Sequence, residues 1–178
     1  AHELGVRYSE GLYKNTFIGR TFIMPGQAER KKSVKYKLVP QELEIRDKKV
    51  LILDDSIVRG NTSREIVRML KDFGAKEVYF AVACPPVKSP CFYGVDMPTK
   101  SELIAGNMNE EEIENYLEVD ALLYQKIDDL VEAVTRKGDH HIDTPCMACL
   151  DGNYIANDID DAKIAQMEAM RVNDRNGK

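Results

Sequence analysis

The chain has 178 residues, of which 43% are hydrophobic and 31% charged, as expected for a soluble α/β domain with a substantial core. Its net charge of −5 disfavours a nucleic-acid partner. No apolar run approaches the roughly 20 residues that span a bilayer, and residues 1–20 lack the apolar centre of a signal peptide. We therefore expect a cytoplasmic protein without nucleic-acid or membrane partners.

The first part of the chain combines an apolar stretch with a strongly basic one. Residues 17–24 are largely apolar, a Pro-Gly turn follows, and five basic residues then fall within positions 30–37. In an acidic chain, a concentrated basic loop raises the local concentration of an anionic substrate. A solvated surface loop is the alternative interpretation, because charge runs are usually that.

The most informative stretch is an apolar run that ends in two adjacent acids. Residues 50–53 predict a buried strand, which stops at Asp54 and Asp55. A polar loop follows, and apolar residues then recur at helical spacing until Gly74 ends the helix. In open α/β sheets, ligands bind at the carboxyl ends of strands, where such loops lie.

The residue types of this loop indicate a phosphorylated sugar as the ligand. Unpaired backbone N–H groups at a helix start favour a phosphate, and Gly60 lets the backbone approach it closely. Thr62 and Ser63 add hydroxyl donors, while Asp54 and Asp55 suit sugar hydroxyls or Mg²⁺. For two acids alone, an acidic surface turn before a capped helix is the simpler interpretation. The strand before them and the Gly-Asn-Thr-Ser loop after them favour the ligand site.

Strands and helices continue to alternate up to residue 135. The predicted elements are a buried parallel strand over 77–83, a helix begun by Ser101, a helix over 110–117 capped by Asn109, a strand over 121–124 and a helix over 127–134. This alternation predicts an α/β fold with a doubly wound parallel sheet.

The pattern breaks after residue 135, so we expect a domain over 1–135 and an irregular or helical extension over 136–178. Within this extension, residues 158–172 predict a helix, and the chain is expected to be disordered from Asn173 onwards. His140 and His141 are interpreted as surface histidines rather than ligands.

Four cysteines are the remaining candidates for chemistry. Nothing indicates secretion, so free thiols or a metal site are favoured over disulfides. Cys146 and Cys149 have a spacing that can chelate one metal or cluster, and Cys91 can supply a third ligand. Cys84, at a predicted strand end, fits a buried small hydrophobe. Structural or redox-active thiols without metal stay open as the alternative.

The loop after the acidic strand resembles a known motif. Residues 51–63 are similar to the phosphoribosyl pyrophosphate (PRPP) motif of type I phosphoribosyltransferases, and Asp-Asp-Ser-Ile-Val-Arg-Gly is the form found in the glutamine PRPP amidotransferase family. Two further stretches agree in the right order: Gly-Arg-Thr-Phe-Ile-Met-Pro-Gly-Gln-Ala-Glu-Arg over 19–30 and Tyr-Gly-Val-Asp-Met-Pro over 93–98. The resemblance extends from about Ala1 to the region 146–154 and implies the type I phosphoribosyltransferase fold.

The resemblance also implies roles for individual residues. Asp54 and Asp55 would hold ribose hydroxyls and Mg²⁺. Ser56 and the loop 59–63 would bind the 5-phosphate, with Asn61 standing where the family more often has threonine. The implied PRPP-binding residues are Asp54, Asp55, Ser56, Arg59, Gly60, Asn61, Thr62 and Ser63. The basic segment 20–37 would close over bound PRPP as a lid that excludes water; its named residues are Arg20, Arg30, Lys31 and Lys32.

The family further implies cofactors and partners. One branch carries a structural 4Fe-4S cluster, and matching contexts imply Cys91, Cys146 and Cys149 as ligands, with the fourth upstream of Ala1. The family's amino-terminal glutaminase domain has no counterpart in these residues, so glutamine hydrolysis is not expected of this chain by itself. A homo-oligomer is expected.

The implied activity is that of a glycosyltransferase. The resemblance implies the portion of an amidophosphoribosyltransferase that forms 5-phosphoribosylamine and pyrophosphate from PRPP and glutamine-derived ammonia, in purine (IMP) biosynthesis. One alternative is a PRPP-binding regulatory or inactive module, against which the intact acidic pair and basic lid argue. Another is a purine-base salvage phosphoribosyltransferase, against which the stretch 93–98 and the paired cysteines argue.

Overall fold

The computed structural model describes residues 1–15, 38–135, 142, 144–156 and 159–176. The described strands are β1 (Leu12–Lys14), β2 (Leu38–Pro40), β3 (Lys49–Asp54), β4 (Glu77–Val82) and β5 (Ala121–Tyr124). The described helices are α1 (Glu42–Ile45), α2 (Asn61–Asp72), α3 (Ile104–Asn107), α4 (Glu110–Leu117), α5 (Ile127–Thr135), α6 (Ala148–Asp151) and α7 (Asp161–Asn176), with a 3₁₀ turn over Lys100–Glu102.

Strands β3, β4 and β5 form one sheet in that order, with β4 in the centre. The Lys76 N–H donates to the Lys48 carbonyl where β3 and β4 begin, and the Ala83 N–H donates to the Asp54 carbonyl where both end. Matching starts and matching ends mean that the two strands run parallel. The same holds for β4 and β5, whose flanking backbone bonds join residues 120 to 78 and 125 to 82. The predicted parallel sheet with helical connections is confirmed.

Strands β1 and β2 form a separate antiparallel pair, with Leu12 opposite Pro40. Each strand is three residues long. Neither was predicted, because three residues are too few to establish the alternation on which strand prediction depends.

The described residues fall into two compact units. The first comprises 1–53, 60–81 and 114–122, and the second comprises 54–59, 82–113 and 123–178. In the first unit, Val67, Leu70, Val78, Phe80 and Leu117 are at most 1% exposed. The second unit contains a cluster of Val87, Leu103 and Leu150, against which Val58 packs. The predicted domain boundary at residue 135 stays a prediction.

Helix α2 forms as its apolar spacing predicts. Val67 and Leu70 are buried, and the helix ends before Gly74, whose φ of 84° is in the left-handed region that favours glycine. Helix α4 begins directly after Asn109, which caps it as predicted: the side-chain oxygen of Asn109 accepts the Glu112 N–H at 2.9 Å. The end of α2 and the start of α4 are both set by residues close together in the chain, which is why the sequence predicts them.

The prediction that β3 is buried is wrong for one of its faces. Leu51 and Leu53 are 47% and 75% exposed, while Val50 and Ile52 are partly buried. Successive side chains of a strand point to opposite faces, so an apolar run does not by itself show that both faces are covered. The described residues leave the face of Leu51 and Leu53 open.

Two predicted boundaries also need correction. The short turn before α3 is capped by Thr99 rather than Ser101, and Thr99 forms a capping box with Glu102. Helix α7 runs from Asp161 to Asn176, so the predicted disorder from Asn173 is wrong as far as Asn176. Among the residues described, no helix has the length and apolar character required to cross a bilayer.

Candidate functional site

The two adjacent acids lie at the carboxyl end of β3, as the sequence predicts. Asp54 is the last residue of the strand, and its carboxylate oxygen accepts the N–H of Asp55 at 3.0 Å. Ser56 turns back towards the pair and donates its hydroxyl to the Asp55 carboxylate at 3.3 Å. The end of the strand therefore presents several carboxylate oxygens from consecutive residues.

The electrostatics of this pair differ from those of an ordinary surface turn. Burial raises the pKa of the Asp54 carboxyl, and the neighbouring charge of Asp55 adds to that effect, while the Asp55 N–H partly offsets it. Asp55 itself is exposed. A half-buried carboxylate beside a second one is stabilised by a cation or by hydroxyl donors. The pair can therefore bind Mg²⁺ or sugar hydroxyls.

The helix that follows begins without a capping side chain. Gly60 occupies the N-cap position with φ 75°, a left-handed conformation, and makes no side-chain cap hydrogen bond. Asn61 and Thr62 are exposed in the first turn, and Ser63 is 4% exposed. Uncapped N–H groups at the start of a twelve-residue helix are suited to an anion such as a phosphate.

Arg59 is bound by Glu102, which was not among the predicted site residues. Its Nε and Nη2 atoms lie 3.1 and 3.0 Å from Oε1 of Glu102, and both side chains are 35% exposed. The spacing Thr99-x-x-Glu102 is a capping-box signal that could have identified Glu102 as a cap. Its pairing with Arg59, 43 positions away, has no local signal.

Asn61 has a second, unpredicted neighbourhood in the first unit. Its side-chain oxygen accepts the Tyr116 hydroxyl at 3.0 Å, and the Arg64 guanidinium lies 4.5 Å from the centre of the Tyr116 ring. Arg64 and Arg68 both donate to Oε1 of Glu118, at 2.8 and 2.7 Å. Hydrogen bonds from Arg68 and then Arg64 lower the pKa of Glu118 to about 2. Helix α2 is thus tied to α4 and the residues just after it.

The four cysteines lie in the second unit, and none of them forms a disulfide. Cys149 is half-buried, and its carbonyl accepts the N–H groups of Lys88 and Ser89 at 2.9 and 3.0 Å. Burial raises the pKa of the Cys149 thiol, and Cys91 and Cys146 raise it further. Within the described parts of the chain, however, no three Cys, His, Asp or Glu residues converge as metal ligands. The three cysteines do not by themselves form a complete metal site.

Cys84, predicted to be buried after β4, is only partly buried. It packs against the cluster of Val87, Leu103 and Leu150, and burial raises the pKa of its thiol. The predicted lid residues Arg20, Arg30, Lys31 and Lys32 lie outside the described residues.

Comparison with known proteins gives a consistent set of relatives. A family model described as a phosphoribosyl transferase domain matches residues 15–97. The chain is 48% identical over 171 residues to an amidophosphoribosyltransferase of Pseudomonas aeruginosa, covering 96% of this chain and 34% of that protein. The Escherichia coli amidophosphoribosyltransferase is 42% identical over 174 residues, with 98% and 34% covered.

A solved structure gives the same answer for the fold. The glutamine PRPP amidotransferase from Bacillus subtilis, complexed with ADP and GMP, matches with a TM-score of 0.75 and 41% identity. The match covers 90% of this chain and 35% of that one. The chain therefore spans about a third of the length of the relatives it matches.

Proposed function

Because this chain belongs to the amidophosphoribosyltransferase family, in which it corresponds to the phosphoribosyltransferase portion, we propose that it binds PRPP and transfers the phosphoribosyl group to ammonia. The bond from carbon 1 to pyrophosphate breaks and a bond to nitrogen forms, giving 5-phosphoribosylamine for purine biosynthesis. The observation that carries the proposal is the acidic pair at the end of β3, followed by the uncapped start of α2.

The phosphate and the sugar would be bound by different parts of the motif. The N–H groups at the start of α2, with the hydroxyl of Thr62 and the side chain of Asn61, suit the 5-phosphate. Asp54 and Asp55 suit the ribose hydroxyls, since ionised carboxylates accept hydrogen bonds and would repel a phosphate. Orienting the sugar in this way exposes carbon 1 to ammonia, which is the positioning that such a displacement requires.

Mg²⁺ fits the donor set of Asp54 and Asp55. Two carboxylates are enough for this ion, because it keeps several waters and shares phosphate oxygens of its substrate. When bound, the ion would neutralise charge on the departing pyrophosphate.

The remaining parts of the proposal concern residues and partners beyond this motif. The basic segment with Arg20, Arg30, Lys31 and Lys32 would close over PRPP, and glutamine hydrolysed in a separate domain would supply the ammonia. We propose that the protein is a cytoplasmic homo-oligomer.

A 4Fe-4S cluster on Cys91, Cys146 and Cys149 is proposed for a protein that supplies a fourth ligand. It is supported by the effect of Cys91 and Cys146, which lie in the same unit and raise the pKa of the Cys149 thiol. A brown protein that loses its visible absorbance in Cys149→Ser supports the cluster. An active, colourless and iron-free protein after anaerobic purification overturns it.

The decisive experiment measures PRPP binding and pyrophosphate release with ammonium and Mg²⁺ in the protein that carries this sequence. We expect Asp54→Asn and Asp55→Asn each to reduce kcat/KM for PRPP by at least about 100-fold. The matched control is the adjacent acid pair at the start of α5, changed by Asp128→Asn and Asp129→Asn, which should leave the activity unchanged.

Three other outcomes would contradict the proposal. Full activity of both motif variants would reject the assigned roles of the acids. Tight PRPP binding without pyrophosphate release would favour a regulatory module. Pyrophosphate release that requires hypoxanthine or adenine in place of ammonia would favour a salvage enzyme.

A further inference from the structure

Arg59, the residue before Gly60 in the motif, is bound by the carboxylate of Glu102. Arg59 donates from Nε to Oε1 of that carboxylate at 3.1 Å, and its Nη2 atom lies 3.0 Å from the same oxygen. Both contacts are made by one edge of the guanidinium. The direction in which Arg59 points is therefore set by where Glu102 lies.

Glu102 is itself fixed by its second oxygen. Oε2 accepts the backbone N–H of Thr99 at 3.1 Å and the Thr99 hydroxyl at 3.0 Å, and Thr99 is 4% exposed. The buried residue Thr99 thus orients the carboxylate through Oε2, while Arg59 binds Oε1. A flexible surface ion pair lacks this second set of bonds, which is why such pairs contribute little.

Val58, the residue before Arg59, is held by the same segment of chain. The Val58 carbonyl accepts the N–H of Ile104 at 2.9 Å, and Val58 packs on the cluster that includes Leu103. Ile57 is 1% exposed. Three consecutive residues of the motif are therefore fixed by burial, by a backbone hydrogen bond and by the ion pair, two of which depend on residues 99–104.

We infer that Glu102 is a positioning residue of the PRPP site, which holds Arg59 and the loop 57–59 in the geometry that binds the 5-phosphate. The inference rests on the proposed function, because PRPP is the ligand whose binding it affects. Glu102 touches no substrate in this role. It acts through Arg59, so its removal should weaken PRPP binding more than it slows the reaction.

The test compares Glu102→Ala with a capping acid that does not touch the motif. Glu112 forms the same kind of capping box with Asn109, accepting its N–H at 2.8 Å, and makes Glu112→Ala the matched control. We expect Glu102→Ala to raise KM for PRPP about tenfold with kcat changed less than about twofold, and Glu112→Ala to change neither. Glu102→Gln, which keeps an oxygen acceptor for Arg59, should restore part of the loss.

A double-mutant cycle separates positioning from a general structural effect. If Glu102 acts through Arg59, then adding Glu102→Ala to Arg59→Ala should raise KM no further. An additive effect, or a Glu112→Ala variant with the same rise in KM, overturns the inference.

Hydrogen exchange provides a readout that does not depend on PRPP. Glu102→Ala should speed exchange of the backbone amides of residues 57–60, while Glu112→Ala should not. If the parent protein neither binds nor consumes PRPP, the proposed function fails, and the exchange result still decides whether Glu102 orders the loop. Unchanged exchange in Glu102→Ala overturns the inference.

Discussion

The two sides of the PRPP motif are held in place by different kinds of contact. Residues 57–59 are fixed by burial, by a backbone bond to Ile104 and by the capped carboxylate of Glu102. The start of α2 instead depends on side chains that are mostly part-exposed, namely Tyr116 and Glu118 with their partners Asn61, Arg64 and Arg68. We infer that the first side is the more rigid and that the second tolerates substitution better.

The Tyr116 hydroxyl offers the most direct test of this difference. It donates to the exposed side chain of Asn61, the first residue of α2. Tyr116→Phe removes that bond but keeps the ring beneath Arg64. A neutral hydrogen bond contributes about 1 kcal/mol, so we expect KM for PRPP to rise by up to about fivefold and the free energy of unfolding to fall by no more than about 1 kcal/mol. Steady-state kinetics with varied PRPP measure the effect.

Two controls belong to this prediction. Tyr154 also donates its hydroxyl, to the Pro90 carbonyl at 2.8 Å, and Tyr154→Phe should leave KM for PRPP unchanged. In an Asn61→Thr background, the loss of the Tyr116 hydroxyl should matter less, because the acceptor it orients is gone. Equal effects of Tyr116→Phe in both backgrounds would show that Asn61 does not transmit the contact.

The ion pairs of Glu118 predict a pH dependence of the stability of the fold. Because the pKa of Glu118 is lowered to about 2 by Arg68 and Arg64, its ion pairs stabilise the fold above the ordinary carboxyl pKa of 4.5. This contribution is lost as the pH falls from 4.5 towards about 2, where the carboxylate takes up a proton. Glu118→Gln should therefore be less stable than the parent near neutral pH, and the difference should shrink in acid.

Denaturant unfolding at a series of pH values measures that difference directly. A gap between parent and Glu118→Gln that is constant from neutral pH to about pH 2 would mean that the charge of Glu118 is not what ties α2 to the residues after α4.

The parts of the site that the sequence predicts are those formed by neighbours in the chain. The strand, the acids Asp54 and Asp55, and the turn at Gly60 follow one another, and each has a local signature. The same is true of Asn109, whose capping partner lies three positions away. Local patterns were therefore enough to place the candidate site at the end of β3.

The contacts that hold the motif could not be predicted in this way. Arg59 and Glu102 are 43 positions apart, and Asn61 and Tyr116 are 55 apart, so only the fold brings them together. The predicted burial of Leu51 and Leu53 was wrong for a related reason, because their exposure depends on what covers the sheet rather than on the sequence of the strand. The cap at Thr99 is a different case. The Thr-x-x-Glu spacing of its capping box with Glu102 is present in the sequence, but the helix start was predicted at Ser101.

The hydroxyl of Tyr124, at the end of β5, gives the smallest expected effect, and its sign is opposite to that of Tyr116. It is buried without a hydrogen-bond partner among the described residues, and burial raises its pKa to about 12. An unpaired buried hydroxyl destabilises the folded state, so Tyr124→Phe should raise the free energy of unfolding by up to about 1 kcal/mol. The same substitution that weakens PRPP binding at Tyr116 should thus stabilise the protein at Tyr124, as denaturant unfolding of both variants would measure. A destabilised Tyr124→Phe would mean that this hydroxyl has a partner in solution, and the contrast between the two tyrosines would fail.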